Sequence, residues 1–285
     1  MRTDFFIVNK VSDLRAKISS WRRKGFRTGL VPTMGALHEG HLSLVRKALE
    51  HADKVIVSIF VNPSQFAPDE DFARYPRREE EDCKLLADTG AHLVFIPAVE
   101  EMYPDDNSTS VHVKNITDRL EGAFRPGHFD GVATVVTKLL LQCMPDIAVF
   151  GEKDYQQLCV IKRLVKDLFI PVGIIGAPII RDEYGLALSS RNDYLSEEDL
   201  KIAREMNKIL SFLATEIRNS PEEVNSICNK GHDIFMSAGF SKVDYIQIAD
   251  PDSLRPLTTL DRPARLLCAA YIEHTRILDN ITVCL

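Results

Sequence analysis

Across the first two-thirds of the chain, short β-branched apolar runs alternate with stretches whose apolar residues recur at helical spacing. Such an order is buried most simply as a parallel sheet covered by helices. The runs at residues 28–31, 55–61, 93–96, 147–150 and 172–175 are continuous, as strands buried on both faces are. Between them, Leu42, Leu44, Val45, Ala48, Leu49 and Ala52 share one helix face, and Val132, Val135, Val136, Leu139, Leu140 and Cys143 share another. Past about residue 180 the pattern changes to two long helical stretches, 196–218 and 221–238. Alternating strands follow at 243–249 and 265–272, with a last one within 281–285. The expectation is an α/β domain over residues 1–180 and a smaller α+β domain over 181–285.

Charge narrows the partners. Thirty-five basic against 41 acidic residues give a net charge of −6, so no global positive field exists to hold a nucleic-acid backbone. Small-molecule partners are expected, with no nucleic acid. Charges break every apolar run near the N-terminus, and no run of about 18 apolar residues occurs elsewhere, which predicts no membrane span and a cytoplasmic protein. Six cysteines (Cys83, Cys143, Cys159, Cys228, Cys268 and Cys284) include no C-x-x-C pair and read as reduced thiols in apolar segments.

Five polar clusters stand at the ends of the apolar runs. The densest is Pro32-Thr33-Met34-Gly35-Ala36-Leu37-His38-Glu39-Gly40-His41, between the first buried strand and the first amphipathic helix. In an open parallel sheet, ligands bind beyond the strand carboxyl ends, and a helix N-terminus there offers N–H groups to phosphate. Gly35 and Gly40 permit close backbone approach. His38 and His41 face one side of a first helical turn. Their spacing of three is wrong for the zinc motif H-E-x-x-H, and no G-x-x-x-x-G-K-[ST] loop occurs. After the next strand come Asn62-Pro63-Ser64-Gln65-Phe66, with Tyr75 further on; the amides suit a carboxylate or hydroxyl, although Asn-Pro alone is an ordinary turn. Arg125-Pro126-Gly127-His128-Phe129-Asp130-Gly131 supplies a guanidinium before a helix. Gly151-Glu152-Lys153-Asp154-Tyr155-Gln156-Gln157 supplies a lysine and acids at another strand end, and Leu188-Ser189-Ser190-Arg191-Asn192 supplies two hydroxyls and a fork of donors for a polyphosphate.

In that order, P-T-M-G-A-L-H-E-G-H, N-P-S-Q-F, R-P-G-H-F-D-G-V, G-E-K-D-Y-Q-Q-L and L-S-S-R-N closely resemble the pantothenate synthetase (pantoate–β-alanine ligase) family of the nucleotidyltransferase superfamily. The resemblance implies a Rossmann-like catalytic domain with a small α+β lid domain. It also implies ATP-dependent joining of (R)-pantoate and β-alanine through an enzyme-bound pantoyl adenylate, with Mg2+ on the phosphates, in a homodimer. By the same resemblance, Met34, Gly35, Ala36, Leu37, His38, Glu39, Gly40 and His41 hold ATP together with Gly151, Glu152, Lys153 and Asp154. Ile180 lies against adenine, and Leu188, Ser189, Ser190 and Arg191 close over the phosphates. Gln65 and Gln157 hold pantoate. Asn62, Tyr75 and Arg125 are weaker candidates for the acyl-acceptor side.

The residue types suit that chemistry. A carboxylate nucleophile is already ionised at pH 7, so the work lies in preplaced donors and cations on the phosphates. His38, His41, Lys153 and Arg191 are the expected catalytic residues. The group that takes the amine proton of β-alanine stays open between His41 and water. A mononucleotide adenylyltransferase and a non-catalytic ATP sensor remain as alternatives, to be separated by the products released.

Overall fold

The computed structural model describes residues 5–68 and 70–285. In chain order the elements are β1 (Phe6–Val8), α1 (Val11–Arg23), β2 (Thr28–Thr33), α2 (Glu39–Leu49), β3 (Lys54–Ile59), α3 (Glu79–Ala87) and β4 (Leu93–Phe95). Then follow α4 (Val99–Met102), α5 (Glu121–Phe124), α6 (His128–Cys143), β5 (Ile147–Gly151), α7 (Tyr155–Asp167) and β6 (Gly173–Ala177). The last are α8 (Glu197–Ala203), α9 (Glu205–Asn219), α10 (Val224–Ser237), β7 (Lys242–Ala249), β8 (Ala264–Ile272) and β9 (Thr275–Val283).

Two compact units result. The first comprises residues 1–114, 125–152 and 160–178; the second comprises 115–124, 153–159 and 179–285. Two early segments thus cluster with the later chain, which a linear division at 180/181 does not separate out. The reason is visible for 115–124. Buried Gln156 accepts the Glu121 N–H (2.9 Å) and donates to the carbonyls of Ile116 and Arg119 (2.8 and 2.7 Å). Glu121 then pairs with Arg276 at 2.6 Å and accepts from the Tyr245 hydroxyl at 2.8 Å.

The first unit is a six-stranded, wholly parallel sheet in the order β1-β4-β3-β2-β5-β6. Leu30, Val31, Val55, Ile56, Val57, Val94, Ala148 and Val149 are fully buried; continuous β-branched runs become strands because both faces are covered. Leu44, Val45 and Ala48 form the buried stripe of α2. The expected strands are present with ends displaced by one or two residues. Edge strand β1 was not expected: it pairs with β4 alone, and its Phe6 and Ile7 are exposed.

In the second unit, β7, β8 and β9 form an antiparallel sheet. It packs with α9 and α10 around Met206, Leu210, Leu213, Phe235, Leu266 and Ala270. The expected helix 196–218 is interrupted at Arg204, which ends α8, precedes α9 and donates from Nε to Asp182 at 3.0 Å. The last strand is longer than the expected 281–285. It runs back to Thr275, joined to β8 by the two-residue loop Glu273–His274, with Glu273 left-handed at φ 49°. Among the described residues, no helix is long and apolar enough to cross a membrane. All six cysteines are unbridged; Cys143, Cys159 and Cys268 are buried, whereas Cys284 is exposed.

Candidate active site

Strand order locates the crevice. From β2 the chain moves toward β3, and from β5 it moves the opposite way toward β6, while β2 and β5 are themselves paired. This is the topological switch point at which open parallel sheets bind ligands beyond the strand carboxyl ends. The segments leaving there are Met34–His41 after β2 and Gly151–Glu152 after β5.

The β2–α2 turn is left-handed at two successive residues, Gly35 (φ 83°) and Ala36 (φ 50°). Alanine in that region costs about 1–2 kcal/mol, and Asp82 of α3 compensates. Its buried carboxylate accepts the N–H groups of Ala36 (2.9 Å) and Leu37 (2.7 Å). A Cβ on Gly35 would lie 3.0 Å from Asp82 Oδ2 and 3.1 Å from Ile59. Burial pushes the Asp82 carboxyl above its ordinary value, against the pull of the two amide hydrogen bonds. Asp82→Ala should therefore cost about 2–4 kcal/mol in urea unfolding, since two buried N–H groups lose their acceptor; an unchanged midpoint would mean that water replaces the carboxylate.

The histidines start α2 by capping it. His38 Nδ1 accepts the Gly40 N–H at 3.1 Å, and His41 Nδ1 accepts the His38 N–H at 3.3 Å. The rings lie 4.1 Å apart. With Nδ1 accepting from a backbone N–H in both, the ring proton sits on Nε2. Both rings stand at a helix N-terminus, where the dipole favours an anion. Glu39 is exposed and paired with Arg46.

The loop after β3 stands beside this turn, because β2 and β3 pair in register from Thr28↔Lys54 to Thr33↔Ile59. Asn62 and Gln65 are buried there, and Gln65 Nε2 lies 3.1 Å from Met34 Sδ. Helix α6 abuts the same loop through Gly131, where a Cβ would fall 2.2 Å from Ser64 O. Tyr75 is buried with its ring 5.8 Å from Phe66. Arg125 grips Glu70 through Nε and Nη2 (2.7 and 2.6 Å) and lies 3.2 Å from His128 Nε2. Burial opposes charge on Glu70, but the hydrogen bonds and charge of Arg125 outweigh it and hold that carboxyl below its usual range. Arg125 is thus engaged by Glu70, and His128 ties it to the loop through Gln65 O at 2.8 Å.

In the second unit, Lys153, Ile180 and Leu188–Arg191 are secured around β9. Leu188 N–H donates to Ile180 O at 2.9 Å, closing a hairpin. Asp182 caps its turn through the N–H groups of Tyr184 and Leu186. Beside Ile180, Arg181 makes a two-pronged pair with buried Asp279 at 2.6 and 2.8 Å. The next residue, Asn280, donates from Nδ2 to Lys153 O at 2.9 Å. Lys153 Nζ lies 3.8 Å from Asp154. Ser189 Oγ accepts the Arg191 N–H at 3.3 Å, starting a 3-10 turn that buries Ser190. Gln157 is half-buried on the first turn of α7, while its neighbour Gln156 serves the 115–124 segment. Four residues of structural consequence escape sequence reasoning: Asp82, Asp279, Asn280 and Tyr103, whose hydroxyl donates to Asn62 Oδ1 at 2.8 Å.

Comparison with known proteins agrees with this architecture. The family model "Pantoate-beta-alanine ligase" matches residues 6–282. A pantothenate synthetase of Paramagnetospirillum magneticum is 53% identical over 283 residues, covering 99% of each chain. The crystal structure of pantothenate synthetase from Thermus thermophilus superposes with a TM-score of 0.92 at 43% identity, covering 99% of this chain and 100% of that one. A pantoate-beta-alanine ligase of Francisella tularensis, complexed with "Beta-gamma ATP" and β-alanine, gives 0.81 at 38% identity, with 97% of each chain covered. The chain belongs to the pantoate-beta-alanine ligase family, whose ATP-dependent reaction joins pantoate to β-alanine.

Proposed function

We propose that this chain carries out the family reaction in two steps at the switch point between β2 and β5. The observation that carries the reading is the pair of imidazoles at the start of α2, beyond the carboxyl end of β2, each oriented by a backbone N–H held on Nδ1. In the first step a carboxylate oxygen of (R)-pantoate attacks the α-phosphorus of ATP. The bond to the bridging oxygen breaks, and pyrophosphate leaves with the electron pair. Nε2–H of His38 and His41, with Lys153, Ser189, Ser190 and Arg191, supplies the donors and cations that charge on the phosphates requires. Met34–His41 and Gly151–Asp154 bind the nucleotide, Ile180 meets the adenine with Leu188 paired beside it, and Gln65 and Gln157 orient pantoate.

In the second step the amine of β-alanine attacks the acyl carbon, the acyl–oxygen bond breaks, and AMP departs as an anion that needs no proton. The nitrogen of the tetrahedral adduct loses one proton, to water, as the amide forms. Magnesium would be carried on the phosphates of ATP, since it commonly binds through substrate phosphates with one or two carboxylates. A cytoplasmic homodimer is the proposed working state; unbridged cysteines suit a reducing compartment, and two-fold pairs are the commonest oligomers.

Pyrophosphate release tests the reading. With ATP and pantoate alone, about one equivalent per active site should appear; β-alanine should make release continuous, with AMP and pantothenate as the other products. Continuous release without β-alanine, or a dinucleotide product, would defeat it.

A further inference from the structure

We propose that Asn62 is a positioning residue that fixes Gln65 as a hydrogen-bond donor toward an acceptor oxygen of pantoate, and that Tyr103 and Ser64 hold Asn62 for that task. The proposal rests on the reading of Gln65 as a pantoate ligand.

Two backbone groups settle the orientation of the Asn62 amide. Its Oδ1 accepts the Ser64 N–H at 3.4 Å, and its Nδ2 donates to Gly131 O at 3.1 Å. An N–H and a carbonyl have only one role each, so oxygen and nitrogen cannot be exchanged. The second proton of Nδ2 goes to Gln65 Oε1 at 2.9 Å. That contact fixes the Gln65 amide in turn: its oxygen faces inward, and its Nε2 faces outward beside Met34 Sδ at 3.1 Å. A thioether is a weak acceptor, so the outward end of Gln65 is kept for a better one, such as a carboxylate or hydroxyl oxygen.

Asn62 itself is 1% exposed. Both its protons are committed, and Oδ1 also receives the Tyr103 hydroxyl at 2.8 Å and Ser64 Oγ at 2.9 Å. Its amide therefore acts through Gln65 and offers nothing directly to a substrate. The Tyr103 ring is held independently, with Phe60 at 6.2 Å and the Lys138 ammonium 4.6 Å from its centroid. Removing the hydroxyl alone leaves the packing intact.

Pantoate-dependent exchange between pyrophosphate and ATP, without β-alanine, isolates the first step. In Asn62→Asp the carboxylate still accepts from Ser64 and Tyr103 but has no proton for Gln65, whose amide then turns its oxygen outward. The KM for pantoate should rise about thirtyfold while the KM for ATP stays within twofold. Tyr103→Phe with Ser64→Ala should raise the pantoate KM about tenfold at unchanged kcat, and should add nothing in an Asn62→Ala background. Normal pantoate KM in Asn62→Asp, with a raised KM for β-alanine in the full reaction, would overturn the proposal by making Asn62 a direct acceptor contact. Should Asn62→Asp fail to fold, the hydroxyl deletions decide, and an unchanged pantoate KM there overturns it equally. Gln65→Glu separates the underlying reading: no change in pantoate KM would remove Gln65 from the pantoate site, whereas an effect there without one in the Asn62 and Tyr103 variants would sink only the relay.

Discussion

His41→Ala is expected to lose at least a few hundredfold in pantoate-dependent pyrophosphate exchange, and His41→Gln to recover about a tenth or more of the wild-type rate. Deleting one preplaced donor to a developing charge typically costs about 3–4 kcal/mol. His41 also caps its own helix by accepting the His38 N–H, so alanine removes a cap worth about 1 kcal/mol as well. Glutamine restores an N–H donor near the Nε2 position but provides no group able to shuttle a proton. A hydrogen-bonding role predicts partial rescue; proton transfer predicts glutamine as inactive as alanine. Thermal unfolding of both variants within a few degrees of wild type keeps the comparison on the chemical step, and the split between kcat and KM for ATP shows whether the loss lies in the transition state.

Gly131→Ala should be severely damaging to the first unit. The added Cβ would fall 2.2 Å from Ser64 O, 2.5 Å from Ser64 C and 2.6 Å from the Gln65 Cα. All three are backbone atoms of the turn that carries Asn62 and Gln65, so no side chain can swing aside. Either α6 backs out of a packed interface or the turn moves with its amides, at a cost of about 3 kcal/mol or more. The expected result is a lower urea midpoint together with a pantoate KM raised more than that for ATP. Gly127→Ala, where nothing lies within 4 Å but φ is 80°, should cost only about 1–2 kcal/mol and leave the ratio of the two KM values alone. Equal behaviour of the two glycine variants would show that the close approach of α6 has no bearing on pantoate.

The parallel sheet was legible because buried strands leave uninterrupted β-branched runs, whereas the strand order, and with it the switch point, came only from the pairing in the fold. Other features were hidden for physical reasons. Asp82 closes the acidic run Glu79-Glu80-Glu81-Asp82, which reads as a solvated first turn; only the fourth acid faces inward, one helical turn from buried Leu86. Asp279 and Asn280 look like a turn in sequence, yet both are buried in β9, where Arg181 pairs with Asp279 from 98 residues away and Arg265 of the neighbouring strand β8 donates to Asn280. Gln156 and Gln157 are chemically alike, and only the fold tells the structural amide from the half-exposed one. The histidine pair was visible as a motif, whereas its tautomers required the two capping hydrogen bonds.

The polar pair on β9 also bears on how activity is acquired. Arg181 lies 98 residues from Asp279 and Lys153 lies 127 residues from Asn280, so each link closes a very long loop whose entropy is lost before any contact rewards it. During refolding, the hairpin bearing Ile180 and the carbonyl of Lys153 are expected to be secured only after the β7–β8–β9 meander has zipped. Recovery of adenylation should consequently trail the return of bulk secondary structure, making turnover a clock for the final long-range pairing.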